Sequence, residues 1–307
     1  MTRQQITIAT RQSKLALWQA NFIKAELEAA HPGLSVELLG MTTDGDRWLS
    51  SPLSEVGGKG LFIKALEDAL QDGRADLAVH SMKDVPAELP DGFALPVIGY
   101  REDVRDALVS ASAKSLDDLP AGALIGSSSL RRQSMLLQQR GDLRVAPVRG
   151  NVDTRLAKLD SGEYDAIILA AAGLNRLGLS ARITELLPVE RLLPAAGQGA
   201  LGIECRADDA EVVALLQPLN DAITNTCVSA ERLVSAGLGA DCSAPLGCHA
   251  VLVDDELQLE AWLLREDGSA QISAQAGGKS AELVSAEVVA SLLGAGAADW
   301  LAARSGT

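Results

Sequence analysis

The sequence predicts two α/β domains followed by a small α+β domain. Strand-like and helix-like segments alternate from Gln4 to Cys205, the order that builds a sheet flanked by helices. Beyond Asn220 the alternation stops, and one helical stretch is followed by three strand-like runs that suit an antiparallel sheet. At 307 residues the chain also exceeds what a single small core organises.

In the first domain Gln4–Ala9 alternates as a strand, and Ser13 is placed to cap a helix. Leu15, Leu17, Trp18, Phe22, Ile23 and Leu27 mark that helix's apolar side. Ser35–Leu39 is the next strand, Leu61–Leu70 a helix and Asp76–His80 a strand, a repeat that predicts a parallel sheet. Thr42–Gly60 is a long connection of the kind that forms lids or binding loops, and Gly57, Gly58 and Gly60 beside Lys59 give its end hinge-like freedom. In the second domain strands are expected at Ala107–Ser110, Ala123–Gly126, Leu143–Pro147 and Ala166–Ala170, with helices at Leu130–Gln139 and Val152–Leu159. Leu201–Cys205 is strand-like and suits a return of the chain to the first domain. The third domain begins with a helix at Ala222–Val234. Strands at His249–Val253, Gln258–Leu264 and Gln271–Gln275 follow, then a final helix. The expected boundaries are 1–99 with 200–218, 100–199 and 219–307.

Composition removes several function classes. A net charge of −14 argues against a nucleic-acid binder, which normally presents a broad basic face, and 3% aromatic residues leave little for base stacking. No stretch has the roughly 18 apolar residues of a membrane span, and the N-terminal segment has no signal-peptide pattern. Cys205, Cys227, Cys242 and Cys248 lack a disulfide framework spacing. A cytoplasmic protein, bound to neither membrane nor nucleic acid, is expected.

Against this acidic background, Gly126–Lys158 holds seven Lys/Arg and two acids, 7 − 2 = +5, which leaves −14 − 5 = −19 for the remainder. A solvated helix face accounts for most charge runs. Here, however, the cations fall at strand ends. Ser127, Ser128 and Ser129 precede Arg131 and Arg132, and Arg149-Gly150-Asn151 precedes Arg155. Arg11 and Ser13 follow the first strand in the same way. Cations in a helix's first turn oppose its dipole, a cost that a bound anion offsets. Arginine's planar fork suits carboxylates or phosphates. Arg140 and Arg144 flank a Gly-Asp turn and read as surface charge. Asp76–Asp84 is a strand that runs into His80, Ser81, Lys83 and Asp84, where α/β sheets place their chemistry, although a surface ion pair is the plain reading of Lys83–Asp84.

Gly57-Gly58-Lys59-Gly60 lacks the spacing of a nucleotide-binding loop, and Cys242, Cys248 and His249 match no zinc motif. Cys242 lies between glycine- and proline-containing segments, where an accessible thiol is possible chemistry.

Six ordered segments resemble the porphobilinogen deaminase (hydroxymethylbilane synthase) family: Ala9-Thr-Arg-Gln-Ser-Lys-Leu-Ala-Leu-Trp-Gln, Val56-Gly-Gly-Lys-Gly-Leu-Phe, Ala78-Val-His-Ser-Met-Lys-Asp-Val-Pro, Gly126-Ser-Ser-Ser-Leu-Arg-Arg-Gln, Arg149-Gly-Asn-Val-Asp-Thr-Arg-Leu and Pro194-Ala-Ala-Gly-Gln-Gly-Ala-Leu-Gly-Ile-Glu-Cys-Arg. The resemblance implies two domains like type II periplasmic binding proteins and a third that carries a cysteine-linked cofactor. It implies a monomeric transferase that condenses four porphobilinogens, with loss of ammonia, onto a dipyrromethane joined to Cys242 by a thioether, then releases the linear tetrapyrrole by hydrolysis. It implies no metal. Asp84 matches the family's proton-handling carboxylate. Arg11, Arg131, Arg132, Arg149 and Arg155 match its carboxylate-binding arginines, Ser13, Ser81, Lys83 and Ser129 its polar cofactor contacts, and Lys59 its active-site lid. Two departures stand out: Asp241 precedes Cys242 where relatives carry glycine, and Asp44 stands in the lid where some carry arginine. A carboxylate-binding solute receptor on the same scaffold explains the arginines equally well but leaves Asp84 and Cys242 without a role.

Overall fold

The computed structural model describes residues 3–41, 63–241 and 243–305. Its strands, in chain order, are β1 (Gln5–Arg11), β2 (Ser35–Met41), β3 (Leu77–Ser81), β4 (Phe93–Gly99), β5 (Asp106–Ser110) and β6 (Leu124–Gly126). They continue as β7 (Arg144–Ala146), β8 (Ala166–Ala170), β9 (Glu185–Leu187), β10 (Leu201–Arg206), β11 (Leu246–Val253), β12 (Glu256–Leu264) and β13 (Gln271–Gly278). The chain divides into two compact units, Met1–Arg101 with Ala200–Asn225, and Glu102–Gly199 with Thr226–Thr307.

The first unit contains a five-stranded sheet in the order β2-β1-β3-β10-β4. β1 pairs parallel with β2 and β3, but β10 runs antiparallel to both β3 and β4. The three strands expected to run parallel do so, and β10 makes the sheet mixed. β4 escapes a pattern reading because it lacks alternation and contains Pro96; as an edge strand it tolerates the missing donor. The register of β10 on β4 shifts between Ile203 and Cys205, so that Glu204 alone faces both Leu95 and Pro96. Ile6, Ile8, Ile23, Leu27, Leu77 and Ile203 form the core of this unit. Helix Lys14–Ala30 begins where expected, with Ser13 Oγ accepting the Ala16 N–H at 3.3 Å. Its buried residues are Gln19, Ala20, Ile23 and Leu27. Trp18, expected on the apolar side, is exposed and stacks on Phe22, which meets the Tyr100 ring edge-on.

The second unit contains a sheet ordered β7-β6-β8-β5-β9, again mixed, with β5 antiparallel to β8 and β9. It also contains the expected three-stranded antiparallel sheet, β11-β12-β13. Helix Ala281–Gly294 packs on β12 and β13, and Val234, Leu259, Ala261 and Val288 are buried together. Leu264, at the end of β12, joins the core built from Leu108, Ile125, Met135 and Ile168.

Candidate active site

In the first unit β1 and β3 are parallel neighbours, with Ile8 beside Leu77 and Ala9 beside Ala78. Their carboxyl ends therefore share one end of the sheet, the position where such sheets bind ligands. Arg11 ends β1, and Ser13 opens the following helix. β3 ends at Ser81 and passes into a single 3₁₀ turn, Met82–Asp84. Ser81 Oγ accepts a hydrogen bond from buried Gln19 at 2.8 Å, which ties the end of β3 to the helix that follows β1. Arg11 and Lys83 are half-buried, whereas Asp84 is exposed. The fold thus brings Arg11, Ser13, Ser81, Lys83 and Asp84 to one sheet end, a cation-rich surround for one accessible carboxylate.

In the second unit Ser129 caps helix Leu130–Gln139, its Oγ accepting the Arg132 N–H. Ser128 Oγ donates to the Val148 carbonyl at 2.8 Å and joins this strand end to the Arg149 loop. Arg149 and Arg155 are half-buried, and Arg155 Nε donates to the Gly150 carbonyl at 2.8 Å. Gly150 has φ +110°, and a Cβ there would overlap the Thr154 side chain, so glycine lets the loop turn back onto its helix. Asn151 occupies the cap position of helix Val152–Asp160 without a side-chain cap bond.

Arg131 and Arg132 differ from Arg149 and Arg155. Both are buried and share one fully buried acceptor, Asp106, with an N···O distance of 2.8 Å from each. Arg131 also donates to the Leu193 carbonyl and Arg132 to that of Ile168. The anion that offsets these first-turn cations is thus Asp106. Burial alone raises its pKa, but the two guanidiniums overcome this and hold it well below the usual carboxylate range. Gln198 completes the cluster by donating to Asp106 at 2.9 Å. Arg131 Nε is buried without a hydrogen-bond partner. Asp106 is missed by pattern reading because it begins an apolar strand and reads as the end of a loop.

Lys59, with the whole 42–60 loop, and Cys242 lie outside the described residues. Beside Cys242, Asp241 accepts the Ser243 N–H at 2.9 Å and is also bonded by the Ser243 hydroxyl. Glu231, unnoticed in the sequence, is fully buried and accepts the N–H groups of Gly197 at 2.7 Å and Ala250 at 2.8 Å. It joins the Pro194–Gly199 segment to β11. Arg140, read as surface charge, instead donates to the Leu116 and Leu119 carbonyls and to Asp142, so it organises a loop. Among the described residues Cys205, Cys227 and Cys248 are buried, and no cluster of His, Cys, Asp and Glu could hold a metal ion.

A family model described as porphobilinogen deaminase, dipyromethane cofactor binding domain, matches residues 6–214. Another, described as porphobilinogen deaminase, C-terminal domain, matches residues 225–294. The chain belongs to the porphobilinogen deaminase family. The porphobilinogen deaminase of Chromobacterium violaceum is 54% identical over 301 residues, covering 97% of each chain. That of Burkholderia thailandensis is 58% identical and covers 90% of this chain and 84% of its own. That of Thiobacillus denitrificans is 58% identical over 86% of each. Among solved structures, the methionine binding protein MetQ has a TM-score of 0.47 at 16% identity, covering 70% of this chain and 89% of its own. No helix among the described residues is long and apolar enough to cross a membrane.

Proposed function

We propose that this member of the porphobilinogen deaminase family is a hydroxymethylbilane synthase, a cytoplasmic monomer that joins four porphobilinogens head to tail with loss of ammonia and hydrolytically releases the product. The observation that carries the reading is the exposed Asp84 carboxylate at the sheet end that also presents Arg11 and Lys83. Loss of ammonia and carbon–carbon bond formation each place positive charge on a pyrrole nitrogen. A carboxylate that accepts the pyrrole N–H stabilises that charge and takes up the proton released at the new bond. The acetate and propionate groups of each substrate need cationic partners, the role assigned to Arg11, Arg149 and Arg155.

The donor set also fits a dipyrromethane cofactor. Ser13, Ser81, Lys83 and Ser129 supply polar contacts, and the Arg131–Arg132 pair has one buried donor, Arg131 Nε, still without a partner. Linked to Cys242, that group supplies the free pyrrole α-carbon to which substrate is joined. Lys59 belongs to a lid. By function the chain divides into a catalytic region, 1–99 with 200–218, a carboxylate-binding region, 100–199, and a cofactor-bearing region, 219–307.

The mass of the intact purified protein tests the reading. We expect an excess equal to two condensed pyrrole units, absent in Cys242→Ser; an unmodified chain that still turns over porphobilinogen overturns it.

A further inference from the structure

Asp84 sits on a turn of only three residues, and such a turn does not hold itself in place. One of its attachments leads to the residue that precedes β10. The Met82 N–H donates to the Ala200 carbonyl at 3.0 Å, and the Val85 N–H closes the turn on the Met82 carbonyl at 3.1 Å. In the adjoining ladder Ser81 faces Leu201, His80 faces Gly202 and Ala78 faces Glu204. Side chains alternate along a strand, so His80, Gly202 and Glu204 lie on one face.

Two contacts on this face bear on the turn. Met82 is buried with its sulfur where a Cβ on residue 202 would stand, so any larger residue there displaces the Met82 side chain. His80 Nε2 is hydrogen-bonded to Glu204 Oε2 at 2.7 Å, with His80 6% exposed and Glu204 fully buried. Glu204 lies opposite the Leu95–Pro96 bulge, a device that re-aims side chains. Its second oxygen, Oε1, has no hydrogen-bond partner. Glu67, half-buried nearby, has its pKa raised first by burial and then by the charge of Glu204. A buried carboxylate with one partner is a poor means of gaining stability, because well-packed apolar groups do as well or better. Its value lies in fixing geometry.

We propose that β10 is the positioning element of the Asp84 turn, with Glu204 acting through His80 and Gly202 through Met82. The proposal rests on Asp84 being the proton-handling group. Neither Glu204 nor Gly202 needs to touch substrate. Both set where the Lys83–Asp84 pair stands relative to the end of β3, and an error of about 1 Å in such a position costs on the order of 10²-fold in rate.

Steady-state kinetics of the holoenzyme with porphobilinogen, with cofactor loading read by intact mass, test this. Gly202→Ala is expected to lower kcat by about 10²-fold with KM within about threefold and loading complete. Glu204→Ala is expected to lower kcat by about tenfold, whereas Glu204→Gln, which still offers His80 a hydrogen-bonding oxygen, stays within about threefold of the parent. Added to Asp84→Ala, Gly202→Ala is expected to leave the residual rate unchanged. If Gly202→Ala fails to fold, the comparison of Glu204→Gln with Glu204→Ala decides alone. Parent-like kcat in both Gly202→Ala and Glu204→Ala, equal losses in the two Glu204 variants, or losses that only follow missing cofactor overturn the proposal. Parent-like turnover by Asp84→Ala overturns the reading beneath it. An inactive Asp84→Ala beside parent-like Gly202→Ala and Glu204→Ala overturns the positioning role alone.

Discussion

Asp106 has no exposed surface and bonds to two guanidiniums and an amide. Replacing it with asparagine leaves two buried cations without a counter-charge, and breaking such a pair costs about 3–5 kcal/mol. Urea unfolding of Asp106→Asn at neutral pH is expected to show a loss of that order. The pH dependence has a definite sign. The folded-state pKa of Asp106 lies below its ordinary value of 3.8, so its stabilisation is present above that pH and is lost as the pH falls further. The stability gap between parent and variant is therefore expected to narrow below pH 3.8; a gap independent of pH down to acid unfolding contradicts the charge assignment. Asp84 gives the opposite outcome. It is exposed, so Asp84→Ala is expected to keep the parent's melting temperature and lose nearly all turnover. Near-normal turnover removes it from the proton role.

At the scale of elements, β4 and helix Lys14–Ala30 meet through aromatic contacts. Tyr100 follows β4 in a left-handed conformation, φ +50°, and its hydroxyl donates to Glu26 on the helix at 3.2 Å. Burial, and then the charge of and hydrogen bond to Glu26, push its pKa up to about 12. The folded value exceeds the ordinary value of 10.0, so this contribution is complete below pH 10 and disappears as the pH rises through 12. Melting temperature is expected to fall across that interval in the parent and to fall less steeply in Tyr100→Phe. Identical slopes exclude the contribution. The same elements show what the sequence disclosed. The Ser13 and Ser129 caps were legible because capping is a local transaction between a hydroxyl and the next turn. β4 was not, because Pro96 breaks the pattern and only its edge position makes that harmless. The antiparallel direction of β10 was also hidden, since periodicity carries no direction. Site residues at strand ends stood out as polar groups after apolar runs. Asp106, Glu204 and Glu231 did not, because a buried acid is recognisable only once its distant partners, Arg131 and Arg132, His80, and the Gly197 and Ala250 amides, are in place.

The whole molecule carries −14, yet each turn of the proposed reaction adds two carboxylates to the product it retains. Repulsion from the acidic body therefore grows with every addition, and cations close to the growing chain must counter it. A residue that performs chemistry is needed equally at each step, whereas one that neutralises accumulated charge is needed more as the chain lengthens. Arg149 follows β7 in the most basic stretch of the sequence, and we propose that it belongs to the second group. Arg149→Ala is expected to begin elongation and then stall, with enzyme–pyrrole adducts accumulating in the intact mass spectrum. Asp84→Ala, by contrast, is expected to remain at the starting mass. Added salt screens exposed charges over about 10 Å at 0.1 M, so moderate salt should shift the Arg149→Ala adducts toward longer chains if repulsion causes the stall. An adduct distribution that matches the parent, or that salt leaves unchanged, assigns Arg149 to substrate binding at every step instead.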